Sequence, residues 1–258
     1  MMDKLCRETE LRERVGRLRP DTDADEVLAR ATWSVIAEPG DGTAGALIAA
    51  LGAPDALAAA LDEVRRPRAE AAAIDALGGA GGSKLLRQAR ARWRPRARID
   101  DIRDALGAAS EIGARLMLPG APGWPTALDD LGAHAPVLLW LRGDPDCLAT
   151  RPSVALVGAR AASSYGESVT ADLAGDLATG GALIVSGGAY GIDGAAHRAA
   201  LGVGGKTVAF LAGGIDRAYP MGHHQLFEHI VRSGAVVAEV PCGTSPTKWR
   251  FLARNLLP

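Results

Sequence analysis

Four segments that contain glycine, each directly after a short apolar run, include residues that could bind an anion. They are G-A-R at 158–160, S-G-G-A-Y-G-I-D at 186–193, A-G-G-I-D-R-A-Y-P at 212–220 and E-V-P-C-G-T at 239–244. Glycine lets a ligand approach the backbone closely, and a helix that begins just after such a loop offers unpaired N–H groups. Arg160 adds a planar guanidinium group suited to phosphate oxygens. The pattern predicts a site for a phosphate or for a nucleic-acid backbone.

The apolar runs before these segments have the length and composition of buried strands. Strands are predicted near 154–158, 182–186, 207–212 and 235–240, and helices near 166–179, 192–201 and 223–233. Unbroken apolar strands that alternate with helices are typical of an α/β fold, a Rossmann-like doubly wound and mainly parallel sheet. Ligands of such folds bind beyond the carboxyl ends of the strands, which is where all four segments fall.

The chain has 258 residues, which is long enough for two domains. Ala- and Leu-rich segments separated by Gly and Pro predict a small helical domain over residues 1–110, and the Rossmann-like domain is expected over 111–258. Within the first, residues 35–52 read as helix, P-G-D-G hairpin and helix. Either this is a helix-hairpin-helix whose glycines contact a DNA phosphate, or it is an αα-hairpin with Asp41 at its tip, where a carboxylate would repel phosphate.

One dense basic run lies near the end of the helical domain. Its members are Lys84, Arg87, Arg90, Arg92, Arg94, Arg96 and Arg98. Such a run is either a nucleic-acid contact or a solvated helix face, here interrupted by Pro95.

The overall charge limits how this chain could hold nucleic acid. The formal net charge is −1, with 20 Lys/Arg against 23 Asp/Glu in residues 1–150 and 9 against 7 in 151–258. Neither part is the strongly basic body of a protein that binds DNA by charge alone, so a contact must be a local pocket.

Several other classes of protein are disfavoured by what the sequence contains. Cys6, Cys147 and Cys242 have no C-x-x-C spacing, which argues against a zinc site or a disulfide framework. The charged N-terminal segment is unlike a signal peptide and no apolar run reaches membrane length, so a cytoplasmic protein without a membrane partner is expected. Because the strand that ends at Gly158 is followed by A-R-A-A-S-S-Y-G and not by G-x-G-x-x-G, and because no Walker A lysine motif is found, we predict no NAD, ATP or other cofactor.

Three polar side chains near the glycine segments allow more than one interpretation. Asp193 is either a first-turn carboxylate of a helix or a ligand contact. His197, four residues later, could bond Asp193 structurally or form a catalytic dyad with it. Tyr219 could stack on a base or pack at the sheet edge.

The combination V-A-L-V-G-A-R, S-G-G-A-Y-G-I-D-G-A-A-H-R, L-A-G-G-I-D-R-A-Y-P and F-L-A-R-N resembles the DNA-processing protein A (DprA/Smf) family over residues 119–255. The resemblance implies a non-enzymatic protein that binds single-stranded DNA in a basic pocket and loads the recombinase RecA during natural transformation. The residues expected at the DNA are Gly158, Arg160, Ser186, Gly187, Gly191, Asp193, His197, Gly213, Gly214, Asp216, Tyr219, Arg254 and Asn255.

The sequence also departs from the family pattern. Tyr190 stands where family members commonly have Arg, Met221 stands where several have a cation, and Leu256 replaces the Arg of R-N-R. Each change removes a candidate phosphate contact, so a weaker affinity or an altered strand path is expected.

Family members continue past R-N with further elements of the sheet, whereas this chain ends at Pro258. A truncated sheet would leave the strand at 235–240 with an unpaired edge and with Val236, Val237 and Val240 uncovered. This predicts low stability and self-association, and it argues against a native-like homodimer.

Two other interpretations are kept. One is a nucleotide-binding Rossmann-like enzyme of the N-glycosidic hydrolase type, although the P-G-G-x-G-T-x-x-E signature of those enzymes is reduced here to P-C-G-T at 241–244. The other is a truncated remnant without function.

Overall fold

The computed structural model describes residue 5, residues 7–61 and residues 67–255. Cys6 and Leu256 lie outside these ranges. The chain divides into two compact units, of which the first comprises Met1–Pro119 with Thr126–Leu138 and the second comprises Gly120–Pro125 with Leu139–Pro258. The first unit therefore extends beyond residue 110, the expected limit of the helical domain.

The described part of the first unit is mainly helical. Its elements are α1 (Thr9–Leu18), α2 (Ala24–Ile36), α3 (Gly42–Leu51), α4 (Ala53–Leu61), α5 (Pro67–Ala76), α6 (Gly82–Trp93), α7 (Ile99–Glu111), the short strand β1 (Arg115–Met117) and the 3₁₀ segment Thr126–His134. Trp33 and Trp93 are buried at its centre, with their rings edge to face and centroids 4.9 Å apart. Small alanines on α4 let the neighbouring helices pack closely around this pair.

The polar groups of the hairpin between α2 and α3 form hydrogen bonds with other residues of the same unit. The Asp41 carboxylate accepts the N–H groups of Thr43 and Ala44 at 3.1 and 3.3 Å, and it accepts the Trp93 indole N–H at 2.9 Å. The carbonyl of Gly40 accepts a hydrogen bond from His134 Nδ1 at 2.8 Å. Because Asp41 caps α3 and anchors Trp93, the geometry favours the αα-hairpin interpretation over a DNA-contacting motif.

Much of the basic run on and after α6 is paired with groups of the same unit. Arg90 donates to the carbonyl of Ala59 at 2.6 Å and pairs with Glu70 at 3.0 Å. Arg92 pairs with Asp41 at 3.2 Å, Arg96 with Glu38 at 2.8 Å and Arg98 with Asp101 at 3.8 Å. These contacts fit a solvated helix face better than a nucleic-acid surface.

The second unit is an α/β sheet, as predicted. Its elements are β2 (Leu139–Gly143), β3 (Ser153–Ala155), α8 (Ser164–Thr179), β4 (Leu183–Ser186), α9 (Ile192–Gly202), β5 (Thr207–Leu211), α10 (His224–Ser233), β6 (Ala235–Ala238) and α11 (Lys248–Arg254), with 3₁₀ turns at Pro145–Ala149 and Met221–His223. These strands run in the order β2-β6-β5-β4-β3. All pairs are parallel except β2 with β6, which is antiparallel. The mainly parallel Rossmann-like sheet expected from the sequence is confirmed.

Small side chains bring the helices of the second unit close to the sheet. Ala174 and Ala178 of α8 and Ala196 and Ala200 of α9 form a buried cluster over Ile184 of β4. The close approach places the first turn of α9 directly beside the loops that follow β3 and β4. The backbone N–H of Ile192, at the start of α9, donates to the carbonyl of Ala159 at 3.2 Å.

The prediction that the strand at 235–240 forms an unpaired edge is wrong. Ala238 of β6 lies opposite Leu211 of β5 on one side and opposite Trp140 of β2 on the other. Val236, Val237 and Val240 are all buried. The sequence order does not reveal this arrangement, because β2 precedes the whole Rossmann-like run and returns antiparallel beside β6.

None of the helices within the described ranges is both long enough and apolar enough to cross a lipid bilayer.

Candidate functional site

The loops after β3 and β4 pack against each other at the carboxyl edge of the sheet. A Cβ on Gly158 would lie 2.7 Å from the Ile192 side chain, and a Cβ on Gly191 would lie 2.3 Å from the carbonyl oxygen of Ala159. Gly191 also has a φ of +73°, which disfavours other residues. These two glycines therefore serve the contact between the loops, which sets the direction in which Arg160 leaves the surface.

Two predicted contact residues of the second loop hold that loop in place. The Ser186 hydroxyl is buried and donates to the carbonyl of Leu156 at 2.6 Å. The Asp193 carboxylate is also buried and accepts the N–H of Ala189 at 3.2 Å. Both side chains therefore position the glycine loop, and the first-turn interpretation of Asp193 fits the structure.

The third and fourth loops are tied together in the same way. The Asp216 carboxylate accepts the N–H of Gly243 at 2.9 and 3.0 Å, and the N–H of Gly214 donates to the carbonyl of Thr244 at 2.9 Å. A Cβ on Gly213 would lie 3.0 Å from Pro246. The N–H of Gly214, a residue expected at the DNA, is thus used inside the protein and is not available to a phosphate.

Arg254 fills the space beside Gly187. The residue is 7% exposed, and its guanidinium group donates to the carbonyl of Phe210 at 2.7 Å. A Cβ on Gly187 would lie only 1.6 Å from Arg254 Nη1, so only glycine fits beside this group. Burial lowers the pKa of Arg254, the Asp193 carboxylate raises it, and the Arg160 cation lowers it further.

The Phe251 ring lies near both the exposed Arg160 and the buried Arg254. Its ring centroid lies 4.4 Å from the Arg160 Cζ and 5.9 Å from the Arg254 Cζ. The Tyr219 ring packs at a tilt against the same phenyl group, with centroids 5.6 Å apart, and the residue remains 49% exposed. Arg160 is exposed, and its guanidinium group lies over this aromatic ring.

His197 lies inside the protein. It is 0% exposed, and its Nδ1 lies 2.7 Å from Thr207 Oγ1. The Thr207 hydroxyl donates its only proton to the carbonyl of Ile184, so it can only accept a hydrogen bond from His197. The proton of the His197 ring is therefore on Nδ1, which donates to Thr207 Oγ1. Nε2 is buried without a hydrogen-bond partner among the described residues. No bond to Asp193 forms, so neither the structural pair nor the catalytic dyad exists in this arrangement.

The burial of His197 predicts a specific pH dependence of stability. Desolvation, with smaller contributions from His223, Arg198 and Arg254, lowers the pKa of His197 from 6.5 to about 3. Below pH 6.5 the unfolded chain binds a proton that the folded chain cannot, so the free energy of unfolding falls as the pH falls. At pH 5 the loss from this residue is about 2 kcal/mol.

The measurement compares urea unfolding at pH 7.5 and pH 5 for the native chain and for His197→Asn. The variant keeps a donor for Thr207 and all other histidines, so its stability should depend less on pH even if it is less stable overall. An equal pH dependence in both proteins would contradict the role given to His197.

The described residues of the site offer little thiol reactivity and no grouped metal ligands. Cys242 follows β6 at this edge of the sheet, and burial raises the pKa of its thiol to about 12, so little thiolate forms near neutral pH. Within those ranges, no three or more His, Cys, Asp or Glu side chains are grouped to hold a metal ion.

The thirteen residues expected at the site differ in accessibility. Gly158, Arg160, Tyr219 and Asn255 are exposed, Gly191 and Asp216 are half-buried, and the others are buried: Ser186, Gly187, Asp193, His197, Gly213, Gly214 and Arg254. Phe251 was not among the residues expected at the site, although it stands three positions before Arg254 and so shares a helix face with it.

Comparison with known proteins identifies the family of the chain. Residues 115–257 match the family model of DNA recombination-mediator protein A. A DprA-type DNA processing protein of Mycobacterium tuberculosis is 41% identical over 241 residues, which cover 89% of this chain and 57% of that protein. The DNA processing protein DprA of Streptococcus pneumoniae is 44% identical over 47% of this chain and 42% of its own length. The chain thus spans about half the length of these curated relatives.

Solved structures show the same relationship. The X-ray structure of DprA from Streptococcus pneumoniae superposes with a TM-score of 0.62 at 28% identity, covering 89% of this chain and 72% of that one. The structure of DNA processing protein A from Helicobacter pylori, described for its single-stranded DNA binding mode, superposes with a TM-score of 0.52 at 34% identity, over 57% of this chain and 65% of that one. With the matching family model and the shared fold, the chain belongs to the DNA recombination-mediator protein A (DprA/Smf) family.

Proposed function

We propose that this chain binds single-stranded DNA at the carboxyl edge of its sheet. The observation that carries the proposal is the exposed Arg160 guanidinium group held 4.4 Å above the Phe251 ring. Stacking uses the flat face of the guanidinium and restricts its motion, while the N–H edge can still form a bidentate contact with a phosphate. The position fits the edge at which ligands of doubly wound sheets bind.

The charges around Arg160 also favour an anion. Arg160 and Arg254 flank one phenyl ring, and the nearby Asp193 carboxylate is already bonded to the loop backbone. Two cations near each other repel, and a phosphate between solvent and Arg160 would relieve that repulsion. Tyr219, half exposed beside Phe251, supplies a ring on which a base can stack.

We further propose the wider role that the family implies. The chain would protect incoming or processed single strands and load RecA onto them during natural transformation, without catalytic turnover and in the cytoplasm. The family membership and the single-stranded DNA binding described for the Helicobacter pylori protein support this proposal.

Single-stranded DNA should bind more tightly than duplex DNA of the same length. The described edge is built from short loops and the seven-residue helix α11, whose Arg254 is buried, whereas its exposed rings can stack only on unpaired bases. Fluorescence anisotropy with labelled oligo-dT and with a duplex, both at the same salt concentration, measures this preference. Equal or tighter duplex binding would contradict the proposal.

Two further assays on the same protein preparation test the alternatives, an N-glycosidic hydrolase and a remnant without function. An N-glycosidic hydrolase would release free base from a mononucleotide, which chromatography detects, whereas the proposed binder leaves the nucleotide intact. Asp193 and Asp216, the carboxylates at this edge with assigned contacts, each accept a backbone N–H. A folded protein that binds neither oligo-dT nor mononucleotide would fit the remnant interpretation.

A further inference from the structure

Tyr190 forms a second exposed aromatic surface at the carboxyl edge of the sheet. It lies between the glycine loop after β4 and the first residue of α9, one position before Gly191, which packs tightly against the backbone of Ala159 and Arg160. Tyr190 is 50% exposed. In the sequence, Tyr190 is notable only because it replaces the arginine that family members commonly have at this position.

The Tyr190 ring is held in a defined position. It packs against the buried His223 ring with centroids 4.8 Å apart and an interplanar angle of 73°. His223 is itself anchored, because its Nδ1 donates to the carbonyl of Gly188 at 3.0 Å and its ring meets Phe227 edge to face. A Cβ on Gly222 would lie 2.6 Å from the Tyr190 hydroxyl, so the absence of a side chain at 222 leaves room for the phenol.

The chemistry of this surface differs from that of Arg160. A phenol ring is neutral at physiological pH and offers a π-face, which attracts a nucleobase far more than it attracts a phosphate. An aromatic ring whose orientation is fixed before binding loses little entropy when a base stacks on it. Arg160, whose carbonyl lies close to Gly191, would hold the adjoining phosphate.

We infer that Tyr190 is a nucleobase-stacking residue, so that binding by this chain depends on the bases of the single strand as well as on its phosphates. The inference rests on the proposed function. The ligand class is an unpaired, base-bearing oligonucleotide, and the contribution of Tyr190 should be insensitive to salt, because no counterion is released when a neutral ring stacks.

The test compares two labelled ligands of equal length and charge, oligo-dT and an oligomer of tetrahydrofuran abasic sites. Tyr190→Ala should weaken oligo-dT binding about 5- to 150-fold, the range for one lost stacked base, and leave abasic binding unchanged. Tyr190→Phe keeps the ring and should bind oligo-dT like the native chain. Tyr190→Arg should bind the abasic oligomer more tightly and with a steeper dependence on salt.

Val203→Ala is the matched control. Val203 is also 50% exposed and flanks the same helix, α9, at its opposite end, away from the carboxyl edge of the sheet. Its replacement should leave the affinity for both ligands unchanged.

Each outcome separates this inference from the proposed function. If Tyr190→Ala weakens both ligands equally, the ring only supports the loop, and the inference is overturned while DNA binding stands. If Tyr190→Phe loses as much affinity as Tyr190→Ala, the hydroxyl and not the ring is the contact, and stacking is overturned. If the native chain binds oligo-dT no better than buffer controls, the proposed function itself fails. A variant that does not fold is recognised by its thermal melt, and Tyr190→Phe and Tyr190→Arg then decide.

Discussion

Arg160→Ala should weaken binding of oligo-dT about 10- to 150-fold, the effect of losing one charge-assisted contact worth about 1.5–3 kcal/mol. Arg160 is exposed, so its removal creates no cavity, and the fold should be unaffected. One fewer phosphate contact also lowers the dependence of log K on log salt by roughly 0.7. Anisotropy titrations of oligo-dT at several salt concentrations measure both quantities.

Two further variants make this experiment specific to the geometry. Arg160→Lys should recover only part of the affinity, because an ammonium group does not reproduce the planar contact with Phe251 and phosphate. Arg232→Ala removes another exposed arginine, at the end of α10 and at the opposite edge of the sheet, and should change little. If the affinity and salt slope of Arg160→Ala match those of the native chain, Arg160 does not contact the DNA.

Gly187→Ala should lower the free energy of unfolding by about 1.5–3 kcal/mol and weaken DNA binding as well. The added Cβ would lie 1.6 Å from Arg254 Nη1, so the guanidinium group must leave the carbonyl of Phe210. A buried hydrogen bond to a charged group is lost, and the support under Phe251 shifts with it. Urea unfolding followed by circular dichroism measures the change in stability.

A double-mutant cycle tests whether Arg254 is the cause. In an Arg254→Ala background the space beside residue 187 is free, so Gly187→Ala should then cost much less. Gly202→Ala is the control, since a Cβ there would meet no atom within 4 Å and the residue ends helix α9. An undiminished cost in the double mutant would show that the glycine is required for another reason.

The fold of the second unit could be predicted largely from the sequence. Strands β4 to β6 are short, mainly apolar runs separated by helical segments, and they are buried along their whole length because helices cover a parallel sheet. Strand β3 lies at the edge of the sheet and is exposed at Ser153 and Ala155. The position of β6 could not be predicted in this way. Its neighbour β2 lies far earlier in the sequence, and no local pattern records which strands become neighbours.

The residues of the candidate site can be listed from the sequence, but what each of them contacts cannot. In the sequence, a glycine after a strand looks the same whether it makes room for a ligand or for a close contact within the protein. At Gly187 and Gly191 the structure shows a close contact within the protein. Arg160 and Arg254 likewise look equivalent in the sequence, yet one is exposed and the other buried. The sequence by itself determined that cations, rings and glycines gather at the carboxyl edge, because strand direction follows from the alternation of strands and helices. Which of these side chains are exposed to solvent could be seen only in the tertiary structure, because the atoms that cover each side chain come from residues distant along the chain.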